Sequence, residues 1–302
     1  MNILGKRYWY FALSLLIIIP GMILIAVDGL PLSIDFTGGS ILEVRFTGEL
    51  PAPADVVIVY ESLGIKDTQV QTTGTGTVQI RSSALDEVAS VEVQNALQSE
   101  FGELVVERFD TVGPSIGEQV TQRAALAVAL AALAVVIYIT YAFRGLDHAF
   151  RYGIIAIIAM VHDVAVVMSV TAIGGRFWGW QVDALFLTAL LTVIGFSVQD
   201  KIVVFDRIRE NSNIYRRLPF ETLANHSIIQ TLQRSINTQL MTVEFMLLAL
   251  ALFGGITLRE FAIILIIGLF SGTYSSIFIA APILVVWEKR EWKTWFGRKA
   301  EA

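Results

Sequence analysis

Apolar and polar positions alternate in long blocks along this chain rather than in the short pattern of a soluble domain. Six apolar runs predict six helical spans: Tyr8–Val27, Arg123–Phe143, Tyr152–Ile173, Ala184–Phe205, Ser235–Phe253 and Phe261–Trp287. Each is long enough to cross a hydrocarbon core of roughly 30 Å. The first run is too long for the apolar part of a signal peptide, and no small-x-small cleavage site follows it, so it reads as a retained span. Short loops join the second to sixth runs, and one long polar segment separates the first from the second.

That polar segment, Asp28 to Gln122, has its own pattern. "SILEVRFT" (Ser40–Thr47) alternates with a strand's period of two, and "PADVVIVYESLG" (Pro53–Gly64) opens on Pro and closes on Gly, as a capped helix does. "TQVQTT" and "TVQIRS" flank "GTG" (Gly74–Gly76) and predict a hairpin. "ALDEVASVEVQNALQSEFG" (Ala84–Gly102) is helical, and "LVVERFDTV" (Leu104–Val112) is a closing strand. The order β-α-β-β-α-β predicts a ferredoxin-like α+β domain. Without His, Cys or a phosphate-type glycine loop, it fits a binding or lever module better than a catalytic one. That fold hosts many functions, so the function is to be sought in the spans.

Composition agrees with the block pattern. Of 302 residues, 55% are hydrophobic and 16% charged, and the mean hydropathy is +0.64. Such values belong to multi-span membrane proteins. Cysteine is absent, which excludes a disulfide framework, a thiolate metal site and a Cys nucleophile. The distribution of charge gives the orientation. Lys6 and Arg7 precede the first span, and Arg144 and Arg151 lie between the second and third. Arg207, Arg209, Arg216 and Arg217 lie between the fourth and fifth, and Lys289, Arg290, Lys293, Arg298 and Lys299 follow the sixth. All fall on one face, which the positive-inside rule makes cytoplasmic, with both termini inside. These cations read as topology determinants near anionic headgroups rather than as a nucleic-acid surface. The segment 28–122, with 15 acidic residues against Arg45, Lys66, Arg81 and Arg108, is then outside. The chain divides into an N-terminus with the first helix (1–27), the outer domain (28–122), the other five helices (123–287) and a basic tail (288–302).

Ionisable groups inside the spans change the picture again. Gln199, Asp200 and Lys201 stand side by side in the cytoplasmic half of the fourth span. Successive helical residues point about 100° apart, so Asp200 and Lys201 do not face each other. Lys201 is expected to snorkel to the nearby surface. Asp200 is too short for that and needs a partner helix, a water path or a proton; its face includes Phe196, Ser197, Val203 and Arg207. His162 and Asp163 lie near the middle of the third span. Around the fifth, Arg234, Thr238 and Thr242 share one stripe, and Asn237 and Glu244 share another, with Glu244 near the span's centre. Any one of these groups also fits a structural role, as a neutral acid bonded to a neighbouring helix or an Arg at a boundary. Asp200 with Arg234 and the His162–Asp163 pair together point to a proton relay. No metal-binding spacing accompanies His162, and neither a zinc motif nor a Ser–His or Lys dyad can be placed in the spans by spacing. No cofactor is expected. In the sixth span, Gly268, Gly272, Ser276 and Ala280 recur every four residues, a ridge for close helix packing. Pro282 is expected to bend the end of that helix.

These motifs resemble the SecF family, the smaller partner of SecD in bacterial protein export. "IDFTGGS" (Ile34–Ser40, with Asp35, Gly38 and Gly39) is similar to the Asp-Phe-x-Gly-Gly signature after the first span, and "VGPSIG" (Val112–Gly117) to the signature entering the second. "VHDV" (Val161–Val164), "GFSVQDKIVVFDRIREN" (Gly195–Asn211) and "QTLQRSINT" (Gln230–Thr238) resemble the motifs of the third, fourth and fifth spans. "FGGITLREFA" and "SGTYSSIFIAAPIL" resemble the last hairpin. The likeness runs over almost the whole length but adds little from Leu50 to Gly102. Two positions depart from it: Gln199 stands where the family more often has Asn, and Glu244 where it has apolar residues.

The resemblance implies an α-helical polytopic protein of the bacterial cytoplasmic membrane, half of a twelve-span assembly similar to the RND transporters. It implies as partners a SecD-like subunit, the Sec translocon channel and an unfolded preprotein, and no enzymatic activity. On this analogy, the proton motive force drives preprotein release on the outer side. Asp200 is the proton-carrying carboxylate and Arg234 its mobile counter-charge, with His162 and Asp163 in support. One charge crossing the membrane potential is worth about 2.3 kcal/mol per 100 mV, enough to bias a two-state bundle. Gly113, Pro114 and Gly117 are the expected hinge between the outer domain and the second span. A proton-driven exporter of lipids or small hydrophobic molecules is the other reading; it calls for an apolar pocket in the outer domain and a second six-span half, which these residues do not contain. A scaffold whose polar groups only hold helices together is a third.

Overall fold

The computed structural model describes residues 2–72, 76–142, 144, 149–239, 245–254 and 256–292. It is mostly helical, with a small antiparallel sheet. Among the described residues, five helical segments are long and apolar enough to cross a membrane: Leu4–Asp28, Pro114–Ala142, Phe150–Trp178, Ala184–Ile214 and Leu258–Lys289. The run expected as the fifth span, Ser235–Phe253, passes through residues 240–244, which lie outside the described residues, as do Thr242 and Glu244. Two compact units divide the chain, one of Leu32–Leu126 and one of Met1–Pro31 with Ala127–Ala302.

The smaller unit contains the short helix α2 (Ile34–Thr37) and then β1 (Gly39–Phe46), α3 (Pro53–Ser62), β2 (Gln69–Thr72), β3 (Val78–Ser82), α4 (Glu87–Phe101) and β4 (Leu104–Val112). The strands lie in the order β2-β3-β1-β4, all antiparallel, with Leu42 opposite both Ile80 and Phe109. Local chemistry explains the boundaries. Pro53 opens α3, where its missing N–H costs nothing. Asp86 accepts from Ala89 N at 2.8 Å to cap α4, and Gly102, at φ +89°, closes it. The two helices pack on the sheet through Val56, Tyr60, Val93 and Leu97, against Leu42, Val44 and Ile80. The turn expected at Gly74–Gly76 falls mostly on residues 73–75, outside the described residues.

The second apolar run begins earlier than its hydropathy indicates. Helix α5 is continuous from Pro114 to Ala142, because Gly113 O accepts from Ile116 N and Gly117 N and so caps its first turn. Gly117 meets the Gly38 loop there: a Cβ would lie 2.7 Å from Gly38 N and 3.0 Å from Phe36 O. Thr121 Oγ1 also donates to Phe36 O at 3.1 Å. Gly38, at φ +72°, leaves no room either, since its Cβ would lie 2.9 Å from Pro114 Cα.

The larger unit is built on α6 (Ala149–Trp178), α7 (Ala184–Ile214) and α10 (Ile256–Ser275). Helix α1 (Arg7–Asp28) packs on α6 where Gly21 meets Ser169; a Cβ on Gly21 would lie 2.3 Å from Ser169 Cα. The small-residue ridge of α10 is already used inside the chain, since Gly268 packs on Val193 and Gly272 on Ser197. Helix α8 (Phe220–Ile236) precedes a π turn at residues 237–239, and α9 (Phe245–Phe253) follows. Pro282 does not simply bend the last helix. The chain passes from α10 through a π-helical stretch, Ser276–Ala280, into α11 (Ala281–Lys289), with Pro282 in its first turn. Proline offers no N–H to the preceding turn, which accounts for the widened helix just ahead of it. At the end of α11, Arg7 pairs with Glu221 at 3.0 Å and Glu291 at 2.5 Å, and Lys289 also pairs with Glu221.

Candidate functional site

Two buried carboxylates lie where α6, α7, α8 and α10 meet, and their surroundings differ. Asp163 on α6 is almost fully buried. Its Oδ2 accepts from Ser197 Oγ at 2.5 Å, Lys201 Nζ at 2.7 Å and Ser275 Oγ at 2.7 Å. Its Oδ1 accepts from Ser271 Oγ at 2.8 Å and contacts His162 Nδ1 at 3.1 Å. An ionised carboxylate only accepts, so the His162 proton sits on Nδ1. This leaves Nε2 buried with no hydrogen-bond partner among the described residues, beside the Tyr274 ring.

Lys201 is fully buried. The expectation that it snorkels to the surface fails, because Asp163 faces it from the neighbouring helix at ion-pair distance. Its ammonium also donates to Ser197 O at 3.3 Å and to Ser197 Oγ. All three of its N–H groups are thereby used. The four-residue separation of Ser197 and Lys201 on α7 stacks them on one face. A Ser–Lys pair therefore does exist in the spans, contrary to the spacing argument. It is not a nucleophile with its base: the lysine is a charged donor held by Asp163, and the Ser197 proton points at the same carboxylate.

Asp200 is one residue before Lys201 and faces elsewhere. It is buried, and its two oxygens accept from Ser235 Oγ at 2.7 Å and Ser276 Oγ at 2.5 Å. Among the described residues it has no cationic partner. The expected partner, Arg234, is exposed, since Ser235 occupies the inward position and the next residue on a helix points about 100° away. Gln199, Asn237 and Thr238 are exposed as well. Of the expected polar set, the fold thus brings together Asp163, His162 and Ser197 in one cluster, and Asp200 with Ser276 in another. Lys201, Ser235, Ser271 and Ser275 were missed as site residues. The i, i+4 spacings Ser197–Lys201 and Ser271–Ser275 were the available signal. Among the described residues, no group of acidic, His or Cys side chains is arranged to hold a metal ion.

Comparison with known proteins places this chain in a family. Residues 92–290 match the profile described as "Protein export membrane protein SecD/SecF, C-terminal", and residues 23–49 match the "SecD/SecF GG Motif". The protein translocase subunit SecF of Anaerolinea thermophila is 68% identical, with 100% of this chain and 98% of that protein covered. The SecF of Thermobaculum terrenum is 45% identical, covering 99% and 97%. The crystal structure of SecDF from Thermus thermophilus, a translocon-associated membrane protein, superposes with a TM-score of 0.82 at 32% identity, over 96% of this chain and 39% of that one. A crystal structure of SecDF in a super-membrane-facing form gives a TM-score of 0.68 at 30% identity, over 99% and 40%.

Proposed function

The chain belongs to the SecF branch of the SecD/SecF family of protein-export membrane proteins, and from that premise we propose that it couples the proton motive force to preprotein translocation through Asp200. The observation that carries this reading is a carboxylate buried inside an apolar bundle with two serine hydroxyls and, among the described residues, no cation. A buried charge without a counter-charge is expensive, and a proton is the smallest neutraliser. Hydroxyls suit both states: they donate to the carboxylate, and either can rotate to accept from the acid. An intramembrane acid that can change charge without dismantling its site is the requirement of a proton carrier.

Arg234 enters as the alternative occupant of the Ser235 position. Rotating α8 by about one residue, roughly 100°, exchanges Ser235 for Arg234 at Asp200. The π turn at 237–239 is a place where such a register change can be absorbed. In this reading, the ionised acid draws Arg234 inward and protonation releases it, while Asp163, His162 and Lys201 hold α6 and α7 together. Glu244 remains a further member of the pathway and Thr242 a supporting polar group, both outside the described residues.

The remaining architecture follows the same reading. Ser235–Phe253 is the sixth crossing, fifth in chain order. The order β2-β3-β1-β4 with two helices fits a ferredoxin-like domain over residues 28–122, outside the membrane. The Lys and Arg pattern supports cytoplasmic termini in a bacterial inner membrane. Because SecDF relatives carry a SecF-like stretch within a longer chain, a SecD-type subunit is the expected partner, and together they act with the Sec channel on an unfolded preprotein.

The test is Asp200→Asn in the full chain with its SecD-type partner, in cells lacking their own pair. Folded complex in the membrane and export rate are measured with and without a proton gradient. Normal complex with loss of the gradient-dependent part is the expected result. Full gradient-dependent export overturns the proposal, and loss of complex in step with export makes Asp200 structural.

A further inference from the structure

We propose that Lys201 is a tethered counter-cation that closes the Asp163 cage to mobile ions and so confines coupling to protons. The proposal rests on the Asp200 reading above and adds ion selectivity to it. Around the Lys201 ammonium are Asp163 Oδ2, Ser197 Oγ and the Ser197 carbonyl, with Ser275 Oγ on the same carboxylate oxygen. Charge and oxygen ligands converging on one point are what a hard cation needs. Here that point is filled by a nitrogen that belongs to the protein and is wholly shielded from solvent.

The charge balance of the neighbourhood makes the assignment specific. From α6 come Asp163 and His162, from α7 Ser197, Asp200 and Lys201, from α8 Ser235, and from α10 Ser271, Ser275 and the Tyr274 ring beside His162, with Ser276 next in the chain. One fixed cation meets one fixed anion at Asp163. Asp200 is the group left over, and the two hydroxyls it has among the described residues are too few ligands for a metal ion but sufficient for a proton. Removing the Lys201 ammonium would leave Asp163 Oδ2, Ser197 Oγ and the Ser197 carbonyl around the vacated point, with Ser275 Oγ on the same carboxylate oxygen, an all-oxygen set that suits sodium.

The experiment uses the full chain with its SecD-type partner in detergent, comparing thermal unfolding in sodium chloride and in choline chloride at equal ionic strength and pH. The wild type is expected to unfold at the same temperature in both. Lys201→Ala is expected to be raised by sodium, by roughly 2–4 °C at a concentration about tenfold above the dissociation constant. The shift should vanish in Lys201→Ala/Asp163→Asn and persist in Lys201→Ala/Asp200→Asn. A shift that instead requires Asp200, or no sodium shift in a folded Lys201→Ala, overturns the proposal. Lys201→Thr, which keeps a hydroxyl in the cage, carries the same comparison if the alanine variant does not accumulate. The wild type is decisive by itself in one direction: sodium-specific stabilisation abolished by Asp163→Asn, or export that needs sodium at constant pH, overturns the idea. Failure of the Asp200 reading registers separately, as undiminished gradient-dependent export in Asp200→Asn.

Discussion

Ser275 and Ser276 are consecutive in the chain, yet they donate to different carboxylates, Ser275 Oγ to Asp163 at 2.7 Å and Ser276 Oγ to Asp200 at 2.5 Å. The boundary between α10 and the π turn falls between them. One peptide bond therefore joins a donor to the Asp163–Lys201 ion pair and a donor to an acid that has no cationic partner among the described residues.

The two serines should consequently fail in different ways. Ser275→Ala removes one of five contacts to a charged, buried group and is expected to cost about 1–3 kcal/mol of stability, lowering complex level and export together. Ser276→Ala removes one of the two donors that Asp200 has among the described residues. Its export rate should change its dependence on the size of the proton gradient while complex level stays near wild type. Export measured at stepped gradients, with unfolding followed in parallel, separates the two. Identical behaviour of the variants contradicts the division of the site.

Close backbone approaches make a second set of outcomes. A Cβ on Gly21 would meet Ser169 Cα at 2.3 Å, and one on Gly268 would meet Val193 Cγ2 at 2.2 Å. Val193 is fully buried and β-branched, so it cannot swing aside. Gly21→Ala and Gly268→Ala should each cost about 1–3 kcal/mol by overpacking. Gly29→Ala meets nothing within 4 Å but sits at φ +80°, so its smaller cost is of backbone origin. Thermal unfolding of the three variants orders them.

Much of this was legible in the sequence, and the misses share a cause. Polar residues inside apolar runs announced α6 and α7, because hydrocarbon excludes such groups whatever the tertiary structure. Which neighbour answers each one depends on helix rotation, and a one-residue change of register is invisible to a pattern of period 3.6. Hence Arg234 was expected where Ser235 stands, and Lys201 was sent to the surface instead of to Asp163. The π turn at Ser276–Ala280 left only Pro282 as its trace. Gly268 and Gly272 announced a close neighbour, but sequence cannot say that it is α7 of the same chain.

Acid should loosen the ion-pair cluster around Glu221. The hydrogen bond from Lys289, with the added charges of Lys289 and Arg7, holds the Glu221 carboxyl below the ordinary value of 4.5, burial opposing only in part. A carboxyl depressed in the folded state contributes stability that is present above pH 4.5 and lost as pH falls through its lowered value. The group is partly exposed, so the effect is no more than about 1 kcal/mol. Glu221→Gln should lower the unfolding temperature at pH 7 and match wild type in strong acid. Parallel pH profiles for the two proteins contradict the assignment.

The Gly-Gly signature has a steric reason that can be tested within the smaller unit. Gly38 needs its positive φ and its missing Cβ together, and Gly117 needs the missing Cβ alone, because the first turn of α5 lies against the backbone of residues 36–38. Gly117 is an ordinary helical position, so alanine there is favoured by helix propensity, by close to 1 kcal/mol. The contact should reverse that sign. A Cβ 2.7 Å from Gly38 N must push the loop away and break the Thr121–Phe36 hydrogen bond. Gly117→Ala is therefore expected to destabilise, and to raise amide exchange at residues 36–39 and 117–121 while leaving the β1–β3 pairing protected. Stabilisation of the variant, with unchanged exchange in the loop, would show that α5 and the signature do not bear on each other.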